Sequence, residues 1–263
     1  MNLDTLDQYI EEALHAWKVP GVALAVVQGD EVIYARGFGV RNIESCDPVN
    51  PDTLFPIASC TKAFTSMGAA LLVDDGVLEW DKPVRHYLPE FKLSDSYISE
   101  KITVRDLLCH RSGLPRHDLA WYGTSLSREA LIKNLAHLPF SKGFREGWQY
   151  QNMMYMTAGY LVGKMSGLTW EEFTQERILD PLKMARTCFS PEVMQQKGNY
   201  ATPYQIKHTV GGGAAGEWEA REFYANPVVG PAGIIHSSVA DLSRWLHVHV
   251  NDGRIGNQQF VSA

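Results

Sequence analysis

A hydroxyl and an amine three residues apart, Ser59 and Lys62, are the residues of this chain best placed by sequence to do chemistry. The apolar run of residues 54–57 ends at Ala58-Ser59, and Ala63, Phe64, Met67, Ala70 and Leu71 then recur at three- and four-residue spacing. That spacing predicts a helix beginning at Ser59 or just before it, with Lys62 on the same face. Unpaired backbone N–H groups and the positive end of the helix dipole surround such a position. Serine is a poor nucleophile until a neighbouring base takes its proton. Lysine can be that base only where positive potential or desolvation holds it neutral, and a helix start offers both. A simpler reading stands beside this one, in which Ser59 caps the helix and Lys62 is a solvated lysine. Ser-x-x-Lys fixes only two letters, so roughly one chain in two of this length holds a chance match; here it occurs once.

Tyr150 and Asn152 form a second candidate pair. A phenol can relay a proton to a leaving group, and an asparagine can fix both an amine and a substrate amide. Tyr150-x-Asn152 precedes a helical pattern, whereas the second copy, Tyr224-x-Asn226, runs into Pro227.

The elements that must position these groups follow from periodicity. A helix spans residues 4–17, and the runs 22–27 and 31–37 are strands joined by a hairpin at Gln28-Gly29-Asp30. Strand and turn continue to residue 50, the central helix follows with Gly76 as its C-cap, and residues 80–89 read as irregular. Thr103 and Asp106 predict a capped helix over 103–109, ended by the turn residues 110–115, HRSGLP. Further helices are expected at 127–136, 150–167 and 170–179. Residues 191–225 lack a sustained apolar period and read as loop and weak strand. Ser237-Ser238 cap a last helix to residue 250. The pattern predicts an α/β (α+β) fold, an antiparallel sheet lobe with an inserted all-α lobe.

Four ordered motifs resemble the serine β-lactamase superfamily: Ser59-x-x-Lys62, residues 107–115 (LLCHRSGLP), Tyr150-x-Asn152, and Pro231-Ala232-Gly233 leading to Ser237-Ser238-Val239-Ala240-Asp241-Leu242. The similarity is to its class C β-lactamase-like, D-aminopeptidase, esterase and penicillin-binding protein branch. The resemblance implies a β-lactamase/transpeptidase-like fold. It implies Ser59 as the acylated nucleophile, Lys62 as base or proton shuttle, Tyr150 as the group protonating the leaving group, and Asn152 as a binding residue that positions Lys62 and substrate. The Ser59 N–H would supply half of an oxyanion hole. Which of lysine and tyrosine acts first stays open.

One family element is missing. Neither Lys-[Ser/Thr]-Gly nor His-x-Gly occurs, and the nearest lookalike is Lys207-His208-Thr209. The expectation is a single catalytic domain over residues 1–263, incomplete at its C-terminus. Residues 1–58 and about 226–263 would form the sheet lobe and about 59–225 the mainly helical lobe. A companion C-terminal polypeptide would complete sheet and site; without it the sheet has a raw edge and the chain should fold poorly.

Composition limits the partners. The 263 residues are 45% hydrophobic, enough for a sizeable core, and the net charge of −6 argues against nucleic acid or an anionic membrane surface. No apolar run reaches membrane-spanning length. The first residues read as an amphipathic helix rather than a leader, and the four cysteines show neither C-x-x-C nor zinc-type spacing. A cytoplasmic protein with free thiols is expected, acting on a small molecule or peptide, without metal or cofactor, with a homo-oligomer allowed. Gly211-x-Gly213-x-x-Gly216 reads as a loop rather than a dinucleotide site, since no strand-to-helix context surrounds it. His247 and His249 cannot share a helix face. Cys60 is expected to pack, and His110 to be structural. Trp121, Tyr122 and Trp148 either line a cleft or fill the core. The expectation is therefore an ester- or amide-cleaving serine hydrolase, an esterase or peptidase, with D-residue peptides and weak β-lactam cleavage within range. The alternative is a catalytically silent relative kept for assembly or ligand binding.

Overall fold

The computed structural model describes residues 3–206 and 218–262. The Lys207-His208-Thr209 lookalike and the Gly211-x-Gly213-x-x-Gly216 run lie outside the described residues. The chain opens with α1 (Leu3–Trp17), β1 (Gly21–Gln28), β2 (Glu31–Asn42), β3 (Asp47–Pro48), β4 (Phe55–Pro56) and α2 (Thr61–Asp74). Short helices follow, α3 (Val84–Tyr87), α4 (Ser96–Lys101), α5 (Val104–Leu108) and α6 (Arg128–Asn134), then α7 (Asn152–Ser166), α8 (Trp170–Thr174) and α9 (Pro191–Lys197). The remainder holds β5 (Tyr204–Ile206), β6 (Trp218–Ala220), β7 (His236–Ser237), α10 (Val239–Val250), β8 (Arg254–Ile255) and β9 (Gln258–Gln259). No described helix is long and apolar enough to cross a membrane.

The chain divides into two units. The first takes residues 1–56, 184–225 and 236–251. Its sheet has the order β1-β2-β3, with β1 and β2 antiparallel from Gly21↔Gly39 to Gln28↔Glu31 and a bulge at Val26/Val27. The hairpin turns where expected, at Gly29, whose φ of +57° suits a residue without Cβ. The Asp7 carboxylate of α1 accepts from the Tyr34 phenol at 2.5 Å and from the Arg36 guanidinium, fastening the first helix to β2. Burial, then Asp7, pushes the Tyr34 phenol up to about 12. Ser238 caps α10 by accepting from the Asp241 N–H, and Asp241 in turn accepts from the Arg186 and Thr187 N–H groups at 2.9 Å. Among the described residues, β1 pairs only with β2.

The second unit takes residues 57–183, 226–235 and 252–263. α2 packs on α7, and both bury residues around most of their circumference, including Phe64, Leu71 and Leu72 from α2 and Met153, Met156 and Leu161 from α7. Helices buried this way read as apolar throughout rather than as one stripe. α5 begins with the expected capping box: Thr103 Oγ accepts from the Asp106 N–H, and Asp106 accepts from the Thr103 N–H. Asp106 also takes two bonds from the Arg145 guanidinium, at 2.9 and 2.6 Å. Burial raises the Asp106 carboxyl, and those donors more than offset it, leaving it below the usual range.

Several assignments differ from the sequence expectation, among them residues 252–263, which group with the helical unit rather than the sheet lobe. Residues 184–225 join the strands, because the Asn199 carbonyl accepts from the Leu54 N–H and Tyr200 and Phe223 pack on the Leu54, Cys188 and Met194 cluster. Residues 226–235 join the helices, because the Pro231 and Ala232 carbonyls accept from Thr65 and Lys62 of α2. α9 replaces an expected loop. Its signal was present in Ser190, which caps it, and in Pro191 at its first turn. α3 and α4 also arise in stretches read as irregular or left unassigned, α4 capped by the Asp95 carboxylate.

Candidate active site

The local path of the chain at residues 56–62 sets the first two groups. Ala58 holds a left-handed φ of +46°, unusual for a residue with a Cβ, and a 3-10 turn over Ala58–Cys60 runs directly into α2. Neither the turn nor α2 has a side-chain cap. Ser59 therefore does not act as the N-cap of the simpler reading. Its hydroxyl is exposed and accepts instead from Lys62 Nζ at 3.3 Å and from the Tyr150 phenol at 2.5 Å.

Lys62 is 7% exposed, far from the solvated lysine of the simpler reading. Besides Ser59 it donates to Asn152 Oδ1 at 2.9 Å and to the Ala232 carbonyl at 2.6 Å. No carboxylate bonds it among the described residues. Burial pulls the Lys62 amine below the usual lysine range, and the nearby Tyr150 phenol opposes the shift in part. Asn152 is the first residue of α7 and is 9% exposed. The structure thus brings Ser59, Lys62, Tyr150 and Asn152 together through hydrogen bonds within one unit.

The HRSGLP turn positions the phenol. Its Gly113 has a φ of +88°, and a Cβ there would lie 2.5 Å from the Lys142 carbonyl. That approach lets the Gly113 carbonyl accept from the Ser141 and Lys142 N–H groups, while His110 O accepts from Gln149 N–H at 2.8 Å. Gln151 locks the other end. It caps α7 by accepting from the Met153 N–H and donates through Nε2 to the Pro115 carbonyl. His110 Nδ1 accepts from the Gln151 N–H at 3.1 Å, and its ring lies 4.6 Å from the Tyr150 ring. Burial, then the Lys62 charge, pushes His110 down to about 4, so the ring is neutral and able to accept. His110 is structural, as expected, but its structure is that of the site. Gln151 is the residue that sequence reasoning missed; its signal was its place directly before a helix, beside the Tyr150-x-Asn152 letters.

Other candidates sort plainly. Trp121 is buried, whereas Tyr122 and Trp148 are exposed, so the aromatic group divides. Cys60 is exposed rather than packed, a correction that follows from its place at the tight turn before α2. The second Tyr-x-Asn copy lies elsewhere, with Asn226 donating to the Trp121 carbonyl. Cys46 and Cys109 are exposed free thiols and Cys188 a buried one.

The Beta-lactamase family profile matches residues 6–262. An unguisins hydrolase of Aspergillus campestris is 32% identical over 92% of this chain and 47% of its own length. The chain spans about half the length of the curated relatives it matches. An octameric penicillin-binding protein homologue from Pyrococcus abyssi superposes with a TM-score of 0.83 at 28% identity, over 100% of this chain and 58% of that one. A D-amino acid amidase from Ochrobactrum anthropi superposes with a TM-score of 0.79 at 27% identity, over 99% and 73%.

Proposed function

The chain belongs to the β-lactamase family, with its β-lactamase/transpeptidase-like fold, and on that premise we propose a serine hydrolase that cleaves an ester or amide through an acyl-enzyme on Ser59. One observation carries the reading: a single exposed hydroxyl accepts from both a buried amine and a phenol.

In this mechanism Ser59 Oγ attacks the substrate carbonyl carbon and its proton passes to Lys62. A lysine held by a side-chain amide and a backbone carbonyl, and desolvated, gives up its own proton more readily than a solvated one. The Ser59 N–H at the helix start offers one hydrogen bond to the developing oxyanion. As the tetrahedral adduct collapses, Tyr150 donates a proton to the departing nitrogen or oxygen, leaving the acyl group as an ester on Ser59. Water then attacks that ester, its proton passing to the Tyr150 phenolate, and the Lys62 ammonium returns the proton it holds to Ser59 Oγ as the acid leaves. Asn152 orients Lys62 and leaves its amide NH2 for the substrate.

The substrate is a small molecule or peptide. The D-amino acid amidase among the similar proteins favours an open-chain amide over a β-lactam ring. A companion C-terminal polypeptide pairing with β1 belongs to the proposal, since that strand has one paired edge among the described residues. So does assembly from several copies, as in the octameric neighbour. The free thiols support a cytoplasmic setting.

The test is covalent labelling. A fluorophosphonate probe should add its mass to the whole protein, Ser59→Ala should abolish the adduct, and the unmodified protein should turn over p-nitrophenyl esters. A protein that stays unlabelled, or a Ser59→Ala variant that still labels, ends the acyl-enzyme reading.

A further inference from the structure

A cleft of about 560 Å³ opens beside Tyr150, lined by Pro115, Arg116, Trp148, Gln149 and Tyr150. Two cations lie against the Tyr150 ring: Lys62 Nζ at 4.7 Å from its centroid and the Arg116 guanidinium carbon at 5.0 Å. They differ in commitment. Lys62 spends its hydrogens on Ser59, Asn152 and Ala232. Arg116 donates only through Nε, to Asp118 Oδ2 at 2.7 Å, so among the described residues its two terminal nitrogens bond nothing.

An exposed arginine–aspartate pair stabilises a fold by very little. Its effect here is geometric: Asp118 holds Nε of a guanidinium that lines the cleft, and the edge made by the two terminal nitrogens bonds nothing among the described residues. That free edge has the fork geometry that takes a carboxylate by two parallel N–H···O bonds. The neighbouring wall is an indole. Trp148 is 65% exposed, and its ring centroid lies 6.1 Å from that of Tyr150. A large aromatic surface left open beside an unspent arginine suits a ligand that pairs an apolar body with an anionic end.

We propose that Arg116 and Trp148 form a specificity subsite for substrates carrying a carboxylate beside an aromatic or bulky apolar group. This deepens the hydrolase reading and rests on it for the site's purpose. The guanidinium reaches Ser59 Oγ by way of a single tyrosine side chain, a distance that an extended peptide covers in about three residues. The carboxylate therefore belongs to the same substrate as the bond cleaved, within a few residues of it, as a free chain terminus or an acidic side chain would be.

Binding without turnover tests this. Benzoylglycine and its primary amide present the same ring with and without the charge. In the whole protein carrying Ser59→Ala, calorimetric titration should show the acid binding at least ten-fold tighter than the amide. Adding R116Q should bring the acid down to the affinity of the amide, and W148A should weaken both. Equal affinities for acid and amide overturn the proposal, as does failure of both to bind or a preference that survives R116Q. Because Ser59 is absent from these titrations, their failure is distinct from a failure of fluorophosphonate labelling in the unmodified protein.

Discussion

In the proposed mechanism Lys62 has to lose a proton before it can take one, and its surroundings set the pH at which it does so. Burial disfavours its charged form, so the acid limb of kcat/KM should fall below the ordinary lysine range, activity rising with pH as the amine becomes neutral. Lys62→Ala should lower kcat/KM by about 10²–10⁴-fold, the range of a positioned proton-transfer group. A pH–rate profile and a single-turnover assay read both. His110 gives an opposite kind of dependence, one of stability. Its folded value of about 4 lies below the unfolded value near 6.5. Between those values the unfolded chain binds more protons, so this contribution is present above about pH 6.5 and lost as pH falls toward about 4. Urea midpoints at about pH 5 and pH 7 should differ, and His110→Asn should shrink the difference. Ser59, Lys62, Tyr150 and Asn152 were legible because each is a spelled motif. Gln151 and the Ala232 carbonyl were not, since a capping glutamine is rare and a backbone acceptor leaves no letter in a sequence.

Three segments distant in sequence meet on α2 and α7. The residues of the 3-10 turns at Pro227–Ala232 reach α2 because Gly159 of α7 leaves room: a Cβ there would stand 2.3 Å from Pro231 Cβ. Arg128, itself held by Glu171, donates to the Pro227 and Val228 carbonyls and fixes the entry of the same segment. Gly159→Ala should cost about 1–3 kcal/mol by overpacking. It should also lower kcat by displacing the Ala232 carbonyl from Lys62. A thermal melt and esterase kinetics measure the two effects, and full activity in a destabilised variant would separate packing from positioning. Helices with a long run of apolar residues or a capping box, such as α2 and α5, were readable from the sequence. α9 was hidden by the glycine-rich residues after it, and α4 by its shortness, which leaves too few turns for a period to emerge.

At the scale of the molecule, neither unit is a continuous piece of chain. Each takes three segments, and periodicity could not place residues 184–225 or 226–235, because their assignments rest on contacts distant in sequence, such as those to Leu54, Thr65 and Lys62, that leave no local pattern. The strand-and-helix alternation did reveal the class of fold, since it depends on local pattern alone. Among the described residues β1 is paired along one edge only, and this predicts a solution property. Residues 1–263 produced alone should self-associate with rising concentration, read by light scattering, because an eight-residue apolar edge strand is a template for pairing. A monodisperse monomer that unfolds cooperatively would contradict this.

The bond from Lys62 to the Ala232 carbonyl spans 170 residues of sequence. At roughly 5–20 residues per second, a ribosome needs about 10–30 s to add that stretch after the lysine has been made. A nascent chain thus carries its serine long before the lysine can be seated, and the proposed reactive centre is complete only once Ala232 has been added.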